Sequence, residues 1–237
     1  MKKYKTIFFD LDGTLVLENF NLFIKLYIEN IAKFLKEKGY NNPEPLAKTI
    51  LKGENFMVTN DGLKLNNVVF WDYMKNQVEL NLEKLEKDLE EFYKIHLYED
   101  LKPCAIKNND MVEIVKYLKS KNYNLVLTTN SVFPQIANEE RLKWNNLDIS
   151  YFTYVTNYDN SHYAKPNYKY YEEVLKKLNL KSDEVLMIGN DGLTDGAALK
   201  CGIDFYLVTD TVLNENETNP TYKGKIKDLK EFIIKNF

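Results

Sequence analysis

The spacing of hydrophobic positions along the 237-residue chain changes several times, and each change marks an element. Residues 4–9, Tyr-Lys-Thr-Ile-Phe-Phe, are an apolar, β-rich run that predicts a buried strand. Apolar residues then recur at three- and four-residue steps, at Phe20, Phe23, Ile24, Tyr27, Ile28, Ile31, Phe34 and Leu35, until Gly39 ends the run. That period predicts a strongly amphipathic helix. A shorter helix is predicted over 43–51, a loop over 53–64, and a helix over 66–80 with Val69, Phe70, Tyr73 and Met74 inward. A charged helix over 81–98 follows, with Leu82, Leu85, Leu89 and Phe92 on one face. About 80 residues of nearly pure helix exceed any connecting loop and must form a bundle of their own.

Pro103 marks a second change of pattern. Helix is predicted over 109–122, with Met111, Ile114, Val115 and Leu118 inward, and strand over 123–129. Helix 133–144, strand 149–155, helix 167–178, strand 184–188, helix 194–200, strand 205–208 and helix 229–237 complete the alternation. Such alternation predicts an α/β fold with a Rossmann-like, doubly wound parallel sheet covered on both faces. Functional groups in such sheets gather beyond the C-terminal ends of the strands. Residues 214–220 read as a polar surface loop.

Composition narrows the chemistry. With 44% hydrophobic and 14% aromatic residues the chain can bury a substantial core, and its net charge of −3 comes from acids and lysines interspersed along the helices. No basic face is evident, so no nucleic-acid partner is expected. Arg141 is the sole arginine, which nearly excludes an arginine clamp on phosphate and leaves lysine, backbone N–H groups, hydroxyls or metal for any anion site. Cys104, Cys201, His96 and His162 are too few for a Cys- or His-rich zinc site, so hard-metal chemistry through carboxylates is what remains. No charged-then-apolar leader opens the chain and no apolar run approaches the roughly 18 residues of a membrane span. A cytoplasmic protein with free thiols and no membrane partner is expected.

The first strand ends in Asp10-Leu11-Asp12-Gly13-Thr14-Leu15. Two carboxylates this close repel by several kcal/mol unless a cation lies between them or one keeps a proton. An Asp-Gly turn is common by itself, but it does not account for a second acid at the strand end. The segment resembles the first motif of the haloacid dehalogenase superfamily. In that superfamily's phosphatases the first Asp is the nucleophile and the second a general acid and base. Three further segments at strand ends resemble the remaining motifs, in the expected order.

Thr129, in Thr128-Thr129-Asn130-Ser131, matches the hydroxyl of the second motif, and with the N–H groups of Asn130 and Ser131 it could hold phosphate oxygens. Capping of the next helix by Asn130 and Ser131 is the structural alternative. Lys165-Pro166 resembles the third motif, whose lysine balances the charge of nucleophile and phosphate, whereas His162 reads as a loop residue. Gly189-Asn190-Asp191-Gly192-Leu193-Thr194-Asp195 resembles the acidic fourth motif with one departure, because Asn190 stands where most members have Asp. Either Asn190 takes the metal-binding place and pairs with Asp195, or Asp191 does; a second anionic ligand for a hard dication favours Asp191.

The resemblance implies a Mg²⁺-dependent phosphatase acting on a small phosphorylated metabolite. Asp10 would attack phosphorus, Asp12 would move the proton, Thr129, Asn130 and Lys165 would bind the phosphate, and Asp10, the Asp12 carbonyl and Asp191 would hold Mg²⁺. It also implies a core domain of residues 1–15 and 99–237 with a helical cap domain, 16–98, inserted after the first motif. Asn19, Phe20 and the loop at Asn60, Asp61 and Gly62 are candidate cap contacts to substrate. Asp12 argues against a dehalogenase, since the superfamily's dehalogenases lack it. A sugar phosphomutase and a non-catalytic metabolite-binding protein are the alternative functions.

Overall fold

A computed structural model describes residues 3–237, including the side chains of all but 96–98. From the N-terminus, β1 (Thr6–Phe9) and the two-residue β2 (Leu17–Glu18) lead into four helices. These are α1 (Phe20–Glu37), α2 (Pro43–Phe56), α3 (Asn66–Gln77) and α4 (Leu82–Leu101). The chain returns through β3 (Ala105–Ile106), α5 (Asn109–Ser120), β4 (Asn124–Leu127), α6 (Gln135–Trp144) and β5 (Tyr154–Val155). It ends with α7 (Lys169–Lys177), β6 (Val185–Gly189), β7 (Asp204–Val208), β8 (Tyr222–Gly224) and α8 (Ile226–Asn236).

Six strands form one parallel sheet in the order β5-β4-β1-β6-β7-β8. β1 lies inside it, with Phe9 level with Leu127 of β4 and Ile188 of β6, so the segments that follow these three strands emerge side by side. Alternation along β1 divides the core between two faces. Ile7 and Phe9 pack with α5, α6 and α8, while Phe8 packs with Tyr170 and Val174 of α7 and with Ala197 and Ala198. The fold is the expected α/β arrangement with both sheet faces covered.

Several expected elements differ. α2 continues through Gly53 to Phe56 where a loop was expected, because Gly53 packs under the Phe70 ring, which a Cβ would approach to 2.9 Å. Residues 149–155 are not one strand: Asp148 turns Ile149–Tyr151 into a 3-10 segment by accepting from Ser150 N–H, which leaves only β5. The helix expected over 194–200 is a 3-10 segment, Gly196–Cys201. β8, an edge strand, and the short β2–β3 antiparallel pair were not anticipated.

The β2–β3 pair joins the two chain crossings between sheet and helical segment, with α4 running to Leu101 before the return. A second junction lies at α3, where Asn66, fully buried, donates to the Ser131 carbonyl at 2.9 Å and to the Ser131 hydroxyl at 3.0 Å. Its backbone N–H bonds the Ser161 carbonyl at 2.9 Å, so loops after β4 and β5 terminate α3 and tie it to the sheet. No helix among the described residues is long and apolar enough to cross a membrane.

Candidate active site

The turn after β1 is closed by Gly13, whose φ of +74° favours glycine. A Cβ there would stand 2.3 Å from Asn190 Nδ2, so Gly13 also admits the loop after β6. Asp10 sits at the strand end, mostly buried, with its N–H on the Ile188 carbonyl at 3.0 Å. Lys165, in the loop after β5, is 2% exposed and reaches Asp10 Oδ1 at 2.8 Å and Asp195 Oδ1 at 2.5 Å. Those two anions hold its ammonium group well above the usual lysine value against the opposing cost of burial. Burial and the Asp10 charge push the Asp195 carboxyl up to about 7, opposed by Lys165.

A cavity of about 370 Å³ opens above this pair, lined by Asp10, Asp12, Glu18, Asn130, Lys165, Asn190 and Asp191 among others. The structure thus brings the first, third and fourth motifs and Asn130 of the second to one cavity. Thr129, 1% exposed, stands behind the wall, its carbonyl accepting from Thr156 Oγ1 at 2.9 Å and Tyr170 OH at 2.8 Å. Asp195 also lies beneath the wall, where it orients Lys165 and accepts Asp191 N–H at 3.1 Å.

Asn190 is fixed on both sides, donating to the Thr211 carbonyl at 2.8 Å and accepting from Thr14 Oγ1 at 3.3 Å. Asp191 Oδ1 accepts from Leu193 N–H at 2.8 Å, Thr194 N–H at 3.2 Å and Asn214 Nδ2 at 2.9 Å, so this oxygen organises its own loop. Of the expected cap contacts, Phe20 reaches the cavity, and it is 63% exposed rather than inward. Asn19 caps α1, while Asn60 and Asp61 line a separate surface cavity and Gly62 lies against the Tyr163 ring. His162 is engaged with Glu173 at 2.7 Å outside the site.

Two functional neighbours escape sequence reading. Arg141, on α6 and 2% exposed, donates through Nη2 to Asp12 Oδ1 and pairs with Glu18 at 3.3 Å. The sole arginine therefore clamps carboxylates, not a phosphate. Burial and the nearby Asp10 charge push Glu18 up to about 8. Burial lowers Arg141 to about 10, opposed by Asp10. A single arginine in a helix carries no signal of a partner more than a hundred residues away.

The donor set suits a hard dication: Asp10, Asp12, Glu18 and Asp191 face one cavity with Lys165 as the basic side chain in its wall. Among the described residues no three His, Cys, Asp or Glu side chains converge as a metal cage, so a complete ligand set would draw on backbone carbonyl or amide oxygen.

Comparison with solved structures supports the fold. The predicted phosphoglycolate phosphatase of Haemophilus somnus aligns at TM-score 0.59 and 18% identity over 98% of this chain and 99% of its own. The magnesium-bound HAD-type protein YfnB of Bacillus subtilis aligns at TM-score 0.56 and 18% identity over 98% and 99%. A protein of Thermotoga maritima assigned as a β-phosphoglucomutase aligns at TM-score 0.57 and 22% identity over 98% and 100%. No curated protein matches the sequence. The family model for haloacid dehalogenase-like hydrolases matches residues 4–202, and the chain belongs to that family.

Proposed function

We propose that this hydrolase is a Mg²⁺-dependent phosphomonoesterase that acts on a small phosphorylated metabolite. The observation that carries this reading is Lys165 Nζ, held between Asp10 at 2.8 Å and Asp195 at 2.5 Å at the end of β1, with Asp12 on the same cavity wall. A carboxylate is ionised at neutral pH and needs no base to become a nucleophile. In this reading Lys165 orients Asp10 through Oδ1, and Oδ2 attacks phosphorus in line, forming an acyl phosphate as the P–O bond to the leaving group breaks. Asp12 gives its proton to the departing oxygen and then takes one from the water that hydrolyses the acyl phosphate. The Asn130 side chain and N–H groups after β4, with Lys165, would bind the phosphate oxygens, and Thr129 would set the end of that strand.

Asp10, the Asp12 carbonyl and Asp191 or Asn190 would hold Mg²⁺. When bound it supplies charge neutralisation for attack by one anion on another. The helical segment between β2 and β3 would act as a cap, with Phe20 against the leaving group and water excluded during attack. We place the protein in the cytoplasm, where its two thiols would stay reduced.

The test is release of inorganic phosphate from a panel of phosphorylated metabolites, with Mg²⁺ or chelator, by the native chain and Asp10→Asn. Metal-dependent release lost on substitution is expected. Transfer of the group to a second sugar hydroxyl instead of water would replace phosphatase by phosphomutase. Metal binding with neither outcome would refute catalysis.

A further inference from the structure

α3 begins with Asn66, a fully buried amide that reaches out of the helical segment into the loop after β4. Its Nδ2 donates to the Ser131 carbonyl at 2.9 Å, to the Ser131 hydroxyl at 3.0 Å and to the Tyr163 carbonyl at 3.3 Å. The Ser131 hydroxyl donates in turn to the Tyr163 carbonyl at 2.8 Å, so one amide joins the loop of the second motif to the loop that carries Lys165. On its other side Asn66 Oδ1 accepts from Asn60 Nδ2 at 2.7 Å. Asn60 spans the loop before α3, donating to the Lys64 carbonyl at 2.8 Å and accepting from Gly62 N–H at 3.1 Å. Both polar atoms of the Asn66 side chain are thereby satisfied, and a buried polar network that is complete in this way fixes one arrangement of the groups it joins.

Ser131 follows Asn130, which lines the Asp10 cavity. Val132 N–H bonds the Asn130 carbonyl at 2.9 Å, so residues 130–132 form a tight turn with Ser131, the residue Asn66 grips, at its apex. Asn130 Oδ1 accepts from Lys165 N–H at 3.2 Å. That backbone donor decides which way the amide points, since it meets only the oxygen. It leaves Asn130 Nδ2 without a partner among the described residues and open to the cavity. Orientation matters there, because Nδ2 can donate to an anionic oxygen whereas Oδ1 in its place would repel one.

We infer that Asn66 is a positioning residue for the phosphate site: through Ser131 it holds the turn that presents Asn130 Nδ2 to the cavity, so the site is complete only while α3 is docked on the sheet. The inference rests on Asn130 binding phosphate in the proposed reaction. The adjacent Asn67 serves docking alone. Its Nδ2 meets Asp159 at 2.9 Å and its N–H the Tyr158 carbonyl at 2.9 Å, both in the loop after β5 and neither in the second motif. Asn66→Ala therefore cuts a link to the phosphate turn, while Asn67→Ala cuts an exposed bond. Phosphate is common to every substrate, so the effect of Asn66 is independent of the leaving group.

The test is a calorimetric titration of the full chain with inorganic phosphate in the presence of Mg²⁺, for the native chain, Asn66→Ala, Asn130→Ala, the double variant and Asn67→Ala. The single changes at Asn66 and Asn130 should each weaken phosphate binding at least about fivefold, as loss of a hydrogen bond to a charged group does. The double variant should bind within about twofold of Asn130→Ala, because Asn66 then has nothing left to position, and Asn67→Ala within about twofold of the native chain. If Asn66→Ala does not fold, Ser131→Ala, which removes only the hydroxyl between Asn66 and the Tyr163 carbonyl, takes its place in the cycle with an expected loss of about threefold. For every phosphomonoester the native chain cleaves, kcat/KM of the Asn66 variant should fall by the same factor. Undiminished phosphate binding, losses that multiply in the double variant, an equal loss in Asn67→Ala, or a kcat/KM loss that depends on the leaving group would overturn the inference. Phosphate binding that depends on Asn66 without turnover of any ester would uphold it and remove the catalytic reading alone, and a native chain that binds no phosphate would overturn both.

Discussion

Glu54 makes a stability prediction whose sign and size follow from its surroundings. The carboxyl is 4% exposed among Tyr27, Tyr93 and the α3–α4 wall, and burial raises it from an ordinary value of 4.5 to about 8. Within that window the folded chain keeps a proton that the unfolded chain has released. The native state therefore loses stability as pH rises from 4.5 towards 8, and the loss levels off above the folded value. The slope for one such group is about 1.4 kcal/mol per pH unit, so raising pH from about 5.5 to about 7.5 costs about 3 kcal/mol. Glu18 and Asp195, pushed to about 8 and about 7, act in the same direction, so the native curve alone does not isolate Glu54. Glu54→Gln does, because the amide keeps an acceptor for the tyrosines and has no proton to lose. Urea denaturation of both chains at a series of pH values, followed by circular dichroism, gives the difference directly. The native chain should be the more pH-sensitive of the two by on the order of 3 kcal/mol across that interval. Parallel curves would refute the argument that burial keeps Glu54 protonated.

Other substitutions probe the site at Asp10. Lys165→Met leaves Asp10 and Asp195 buried without their cation, and should lower stability by about 3 kcal/mol or more in urea denaturation. An unchanged midpoint would show that the ion pairs carry no net stabilisation. Gly13→Ala forces an L side chain to φ +74° with its Cβ 2.3 Å from Asn190 Nδ2, and thermal unfolding should report a loss of about 1–3 kcal/mol. Asp191→Asn and Asn190→Ala separate the two candidate metal ligands. The variant that loses a ligand should need at least about tenfold more Mg²⁺ for half-maximal phosphate release, and an unchanged requirement in both would remove this loop from the metal site.

What the sequence disclosed follows from how local each signal is. β1, α1, α5, β4, β6 and β7 carry their period within a single window, and their residues are buried as that period requires. The first, second and fourth motifs were legible because each sits where such a strand stops, whereas Lys165 lies ten residues beyond β5 and is identified by its order in the chain and the proline after it. β8 has three residues, one of them Gly224, and lies at the sheet edge, so it offers neither length nor alternation. Gly53 looked like a helix stop, but tertiary packing under Phe70 overrides that preference. Glu54 fell in the same supposed loop, which hid the one acid of α2 that the structure buries. Asn66 carries only the signal of a helix start in the sequence, and its buried bonds to Ser131 depend on a loop 65 residues away.

Arg141 shows why the site is more than its motifs. Asp10, Asp12 and Glu18 stand within one cavity wall, and Lys165 is committed to Asp10 and Asp195, so Asp12 needs a second cation. Arg141 is that cation, and it is held by more than charge: its guanidinium lies 5.0 Å from the Phe23 ring and 5.7 Å from that of Phe133. Phe23 belongs to α1 and Glu18 to β2, so the group that fixes Asp12 also grips both elements by which the chain enters its helical segment. A displacement of β2 against α6 must break the Arg141–Glu18 contact, leaving a buried guanidinium and a buried acid each short of a partner, or carry Asp12 with it. The orientation of the second carboxylate and the placement of the helical segment are therefore not independent variables in this fold.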